Sequence, residues 1–167
     1  MSKRTLIELI YGEGAHANTL ACIEDVPLDL AGRICANSPH SIYQLASHMN
    51  FWMAYELRRI RGEHPPYPMH ASESWAAAPT PRTAKEWQET ISLFRNLLAE
   101  LATLADSPHD VLANEVAATH PDHTKRSSSL LAVLWQTVVH NSYHIGQVAT
   151  VRRCFGAWPP QGGGDSW

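Results

Sequence analysis

The stretch that decides the fold runs from Ser127 to Gly156, SSSLLAVLWQTVVHNSYHIGQVATVRRCFG. No proline interrupts it, and its one internal glycine is Gly146. Leu131, Leu134, Val138, Ile145, Val148 and Val151 recur at spacings that place them on one side of an α-helix. Arg152 and Arg153 suit the C-terminal end, where cations meet the negative pole of the helix dipole. A helix of this length needs partners along its whole apolar face, so the rest of the chain must supply comparable rods.

Three further segments are nearly free of breakers, at about 4–25, 40–61 and 83–106. In the first, Leu6, Leu9, Ile10, Ala17 and Leu20 are at helical spacing, although Gly12 and Gly14 weaken it. The second opens NSPHSIYQ, where Ser38 can cap and Pro39 can take the first helical position. It buries Ile42, Leu45, Met49, Trp52, Met53 and Leu57, and stops at Gly62. The third begins with Thr83 and Glu86 in a capping-box spacing. Its stripe is Trp87, Ile91, Phe94, Leu98, Leu101 and Leu104. Residues 107–127 are too polar and irregular for a long helix, and read as a loop with a short extended piece. The expectation is an all-α four-helix bundle, one domain over residues 1–157 followed by a tail, 158–167.

Composition narrows the function. The chain has 167 residues and a formal net charge of −3, with thirteen scattered Lys and Arg. That is no footprint for nucleic acid. No apolar run approaches the roughly 18 residues of a membrane span, and no signal peptide is visible. Cys22, Cys35 and Cys154 form no CxxC and suggest no disulfide framework. Each reads as a small buried hydrophobe in a reducing cytoplasm.

The chemistry lies in the histidines. His140 and His144 are four apart, so one helical face presents both imidazoles, a spacing that can chelate one metal ion. Among Val138, Val139 and Ile145 such a pair needs either a ligand role or hydrogen-bond partners, and residue physics leaves both open. A metal would need a third ligand, and His48, mid-helix beside Leu45, Met49 and Trp52, is the candidate. Three imidazoles leave room for water, as catalytic rather than structural sites do. His16 is a candidate contact beyond the ligands or to substrate, as are Tyr143 and Gln147. His40, at a helix start, reads as solvent-exposed. His120 and His123 form a second, weaker pair in a loop. Gly146 would allow close approach of a helix or ligand. Tyr67, Met69 and Trp75, in a Pro-rich connection, could cover a pocket. Glu56 and Glu115 could act as acid or base without either standing out.

Other chemistries fit less well. Only one Glu-x-x-His occurs, Glu13 to His16, which argues against a di-iron carboxylate bundle. There is no GxSxG and no phosphate-binding glycine loop. Cys154 lies near cations that would activate a thiol, but at a helix C-terminus, which opposes it.

HNSYHIGQVATVRR resembles the last-helix signature of the DinB/YfiT superfamily of bacterial metal-binding bundles. LASHMNFWMAYELRRIRG is similar to the family's second helix, and the closing GAWPPQGGGDSW looks like one DinB-like branch. The loop HPDHTKRSS is unusual for that branch. The resemblance implies an up-down-down-up bundle and one divalent ion, zinc or nickel, on His48, His140 and His144 with water completing the sphere. It also implies a homodimer. Understood members are thiol-dependent transferases and isomerases using bacillithiol or mycothiol, or are called metal-dependent hydrolases. Expected here is a small-molecule enzyme, a thiol S-transferase or hydrolase with a low-molecular-weight thiol as possible cosubstrate. The alternative is a non-enzymatic metal-binding or stress-response bundle.

Overall fold

The computed structural model describes residues 3–36, 38–120 and 127–162. Helix α1 spans Lys3–Ile10, and two single-turn helices follow, α2 (Ala21–Glu24) and α3 (Leu28–Ala31). The long helices are α4 (Ile42–Ile60), α5 (Ala84–Ala105) and α7 (Leu130–Cys154). A 3-10 turn, Ala71–Ser74, lies between α4 and α5; α6 (His109–Leu112) and strands β1 (Glu115–Val116) and β2 (Ser128–Ser129) lie between α5 and α7. The α4 rod packs along α5 and α7, and α1 closes the bundle against the same two helices. The architecture is therefore an all-α bundle, with an antiparallel two-residue ribbon at the entrance to α7.

The first rod is shorter than the apolar spacing suggests. Gly12 and Gly14 adopt positive φ and end it. At Gly12 an added Cβ would lie 2.5 Å from the His16 ring, so the turn leaves no room for a side chain. Asn18 then starts α2 by accepting from the Leu20 and Ala21 N–H groups. The start of α4 also shifts. Ser41, not Ser38, is its cap: its hydroxyl accepts from Gln44 N–H while the Gln44 side chain accepts from Ser41 N–H. Ser38 instead donates to the His40 carbonyl. Thr83 caps α5, but Glu86 reaches Arg82 N–H rather than completing the box on Thr83.

Both α4 and α7 stop at glycine. Gly62 and Gly156 hold positive φ, and the bonds Glu63 N–H to Arg58 O and Ala157 N–H to Arg152 O close two Schellman motifs. Inside the bundle, Trp87, Phe94, Leu98 and Leu101 of α5 meet Ile42, Leu45, Met49, Met53 and Leu57 of α4. The Trp87 indole N–H is satisfied by the Val26 carbonyl at 2.8 Å. Expected core positions Trp52, Leu104 and Leu131 are only half-buried.

The cysteine expectation needs correcting. Cys22 is buried and free, but Cys35 and Cys154 form a disulfide across 119 residues. The tertiary fold brings the segment after α3 to the end of α7, with 6.3 Å between the Cα atoms, within disulfide range. Nothing in the local sequence foretells a pairing so distant. Thiol counting on denatured protein should find one reactive cysteine before reduction and three after it; three at the outset would remove the bridge. Of the tail, Trp158 packs on the core beneath the Arg153 guanidinium, and residues 163–167 lie outside the described set. Among the described residues no helix is long and apolar enough to cross a membrane.

Candidate metal centre

Because α4 and α7 lie side by side, residue 48 of one faces residues 140 and 144 of the other. His48 and His144 are buried, and His140 is half-buried. The Nε2 atoms of His48 and His140 are 3.2 Å apart, and those of His144 and His140 are 3.1 Å apart. One ligand atom from each of the three lies within 4.8 Å of the others.

The Nδ1 atoms of His48 and His144 point to partners outside the cluster. His48 Nδ1–H donates to the Ser74 carbonyl at 3.3 Å, and His144 Nδ1–H donates to Gln147 Oε1 at 2.7 Å. With those protons committed, both Nε2 atoms carry lone pairs directed at the third imidazole. A single N–H on His140 Nε2 cannot satisfy both well, and buried lone pairs without partners are costly. One divalent ion would satisfy all three. Two nitrogens bound to one tetrahedral zinc at 2.0–2.1 Å are about 3.3 Å apart, close to the observed separations. The donor set therefore fits a divalent ion that accepts neutral nitrogen ligands.

Electrostatics keeps these rings neutral. Burial, then the neighbouring His144 and His140 rings, holds His48 down to about 4. Burial and His144 lower His140 to about 4 as well. Burial also lowers His144, against the opposing bond to Gln147. At neutral pH all three offer lone pairs rather than positive charge, as metal ligation requires.

Trp75 covers one side of the cluster. Its ring lies parallel to His48 at a centroid distance of 3.8 Å and edge-on to His144 at 5.7 Å. His40 stacks on the opposite face of Trp75 at 3.8 Å, so it is half-buried rather than solvent-exposed as expected. His140 also lines a cavity of about 480 Å³, together with Trp52, Tyr55, Glu56, Arg59 and Tyr67 among others.

The remaining expectations divide. Gln147 bonds His144, as the one-turn spacing suggests. Tyr143 lies edge-on against His144 at 5.0 Å but is 66% exposed, so it flanks the cluster from outside. His16 turns to Ser142 Oγ, at 2.9 Å, and to the Ala17 carbonyl, not to a cluster imidazole. Of the Pro-rich connection, Trp75 and Tyr67 approach the site, whereas Met69 is 74% exposed. A Cβ at Gly146 would meet nothing within 4 Å, so no close approach explains that glycine. Glu115 is exposed on β1. His120 lines the cavity against the Tyr67 ring, while His123 lies outside the described residues. Trp75 was expected only as a cover for a pocket; that it stacks on His48, and that the Ser74 carbonyl accepts from the same ring, the sequence does not disclose, since a loop carries no period to read.

A comparison with curated proteins found no match. The model of the DinB family matches residues 1–163, which include all three histidines and both helices that carry them. With that match spanning nearly the whole chain, and with a helical bundle that gathers three imidazoles at one point, the chain belongs to the DinB family.

Proposed function

We propose that the protein binds one divalent metal ion through His48 Nε2, His140 Nε2 and His144 Nε2, and that it is a metal-dependent enzyme of the thiol S-transferase or hydrolase type. The observation that carries this reading is the position of the cluster. Two of its rings are buried, but through His140 it borders a space large enough for a small molecule. A closed structural site has no need of such an opening.

A divalent ion held there supplies Lewis acidity and lowers the pKa of a coordinated water or thiol towards neutrality. The chain's own groups do the rest. Ser74 and Gln147 fix the tautomers and ring orientations of His48 and His144. Trp75 stacks on His48 and shields that ring from water. The aromatic side of the cavity orients the organic part of the substrate. Zinc or nickel suits three imidazoles, a low-molecular-weight thiol is the cosubstrate the family points to, and homodimerisation belongs to the same proposal.

Metal analysis of protein purified without a histidine tag should find about one zinc or nickel per chain. The loaded protein should then accelerate transfer of one of several small thiols to an electrophile, or hydrolysis of an ester or amide panel. Metal-free protein, from cells supplied with both metals, would remove the reading.

A further inference from the structure

The cavity extends well beyond the metal cluster, and its far part has chemistry of its own. On α4, Trp52 and Glu56 follow His48 by one and two turns, so Glu56 lies about 12 Å further along the helix at 1.5 Å per residue. Both line the same cavity as His140. A ligand that runs from His140 to Glu56 passes along Trp52, which lies between His48 and Glu56 on α4 and lines the same cavity.

Glu56 is a buried acid whose one ion-pair partner among the described residues is Arg59. Its Oε2 accepts from Arg59 Nη1–H at 2.6 Å, and its side chain is only 10% exposed. Among the described residues no group donates to Oε1. Arg59 is more fully engaged: its Nε–H and one Nη2–H both donate to the Ala117 carbonyl, at 3.2 and 2.9 Å. That bond ties α4 to the chain just beyond β1. The tether explains Arg59, and Glu56 Oε2 balances its charge. It does not explain why the carboxylate also lines a cavity with an oxygen that no described residue pairs. Burial pushes the Glu56 carboxyl up and Arg59 pulls it down, with a net rise; a second cation at Oε1 would relieve that penalty.

The wall beside Glu56 is aromatic. Trp52 and Tyr55 are 5.3 Å apart at their ring centroids, and Tyr67 is 5.8 Å from Trp52 and 6.1 Å from Tyr55. The Tyr55 hydroxyl is held by Thr119. Such rings bind flat or apolar groups, and their negative faces attract cations and disfavour anions.

We propose that this cavity binds a small elongated amine, with its ammonium group on Glu56 Oε1, its apolar body against Trp52, Tyr55 and Tyr67, and its other end at His140. The proposal deepens the enzymatic reading of the same cavity and rests on it only for the His140 end. Protonated amines supply the donors that a carboxylate oxygen lacks, and the aromatic wall disfavours the anion that Arg59 alone would select.

The test is calorimetric titration of the metal-loaded full chain with 4-phenylbutylamine, 4-phenylbutanol and 5-phenylpentanoate, which share the phenylbutyl body and differ only at the terminal group. The amine should bind at least about tenfold more tightly than the alcohol, and the carboxylate most weakly. Glu56→Gln should erase the difference between amine and alcohol. Because that change also disturbs Arg59, Trp52→Leu serves as a second probe. It should weaken the amine at least as much as the alcohol while leaving the amine the tighter ligand. Equal binding of all three by the wild type, preference for the carboxylate, or no binding at millimolar concentration overturns the proposal. So does an amine preference that survives Glu56→Gln. Metal content measured on the same samples separates the two readings. Amine preference without metal would leave this site and remove the metal centre, whereas bound metal without amine preference would do the reverse.

Discussion

Replacing His144 with alanine is expected to abolish stoichiometric metal binding while leaving the helical bundle intact. The variant loses one of three nitrogens and also the Gln147 contact that aims it. Removing an outer hydrogen-bond partner of a ligand typically costs 10–100-fold in affinity, so losing the ligand itself should cost more than about a hundredfold. Gln147→Ala should fall between His144→Ala and the wild type, because the imidazole remains but its tautomer and orientation are no longer fixed. The helix should tolerate both changes. It is capped by Ser129, closed at Gly156, and held by buried Leu134, Ile145, Val148 and Val151, and alanine is the best helix former. Equilibrium dialysis against zinc, with far-UV circular dichroism on the same samples, is the measurement. A His144→Ala protein that keeps a full equivalent at wild-type affinity would show that the three-imidazole assignment is wrong.

The largest stability effect is expected at the C-terminal end of α7. The Arg152 side chain is 4% exposed. It donates to Asp25 Oδ1 at 2.6 Å and Oδ2 at 3.3 Å, and to the Cys22 and Ala157 carbonyls at 2.9 Å each. These bonds join the α2 segment, the end of α7 and the chain beyond it. Asp25 also accepts from Gln161 N–H at 2.8 Å. Asp25→Ala leaves a buried guanidinium without its counter-charge, a loss of about 3–5 kcal/mol, or roughly 10 °C in Tm for a chain of this size. Adding Arg152→Met should recover most of it, because the pair then disappears together. Thermal melts of the two single variants and the double variant test this; an additive double variant would contradict it.

The same pair sets an acid response. Burial raises the Asp25 carboxyl, but the Arg152 hydrogen bond and charge and the Gln161 N–H outweigh it, so the folded pKa lies below the usual 3.8. A depressed carboxylate contributes stability that is fully present above the unfolded pKa. That stability is lost as pH falls through the lower folded value. The melting temperature of the wild type should therefore fall more steeply below about pH 4 than that of the Asp25→Ala, Arg152→Met double variant.

Much of this molecule was legible in the chain itself. The apolar periods of residues 42–57, 87–101 and 134–151 determined three rods, because a face of buried side chains leaves the same period wherever the helix packs. The pair His140 and His144 was legible for the same reason: four residues of helix put both rings on one side. The end of α4 at Gly62 followed from local stereochemistry. The sequence even suggested that Gly12 and Gly14 weaken the first rod, although not that it stops at Ile10.

Only the tertiary structure decided which groups meet. His48 reaches the other two imidazoles because α4 and α7 are neighbours, and Ser74 and Trp75 reach His48 because a loop without any period folds over that helix. Cys35 and Cys154 pair across 119 residues, and Glu56 and Tyr67 share a wall, for the same reason. Periodicity records which face of an element is buried; it does not record what lies opposite. Contacts between elements far apart in the chain depend on how the rods are stacked, and that is set by the packing of the whole core.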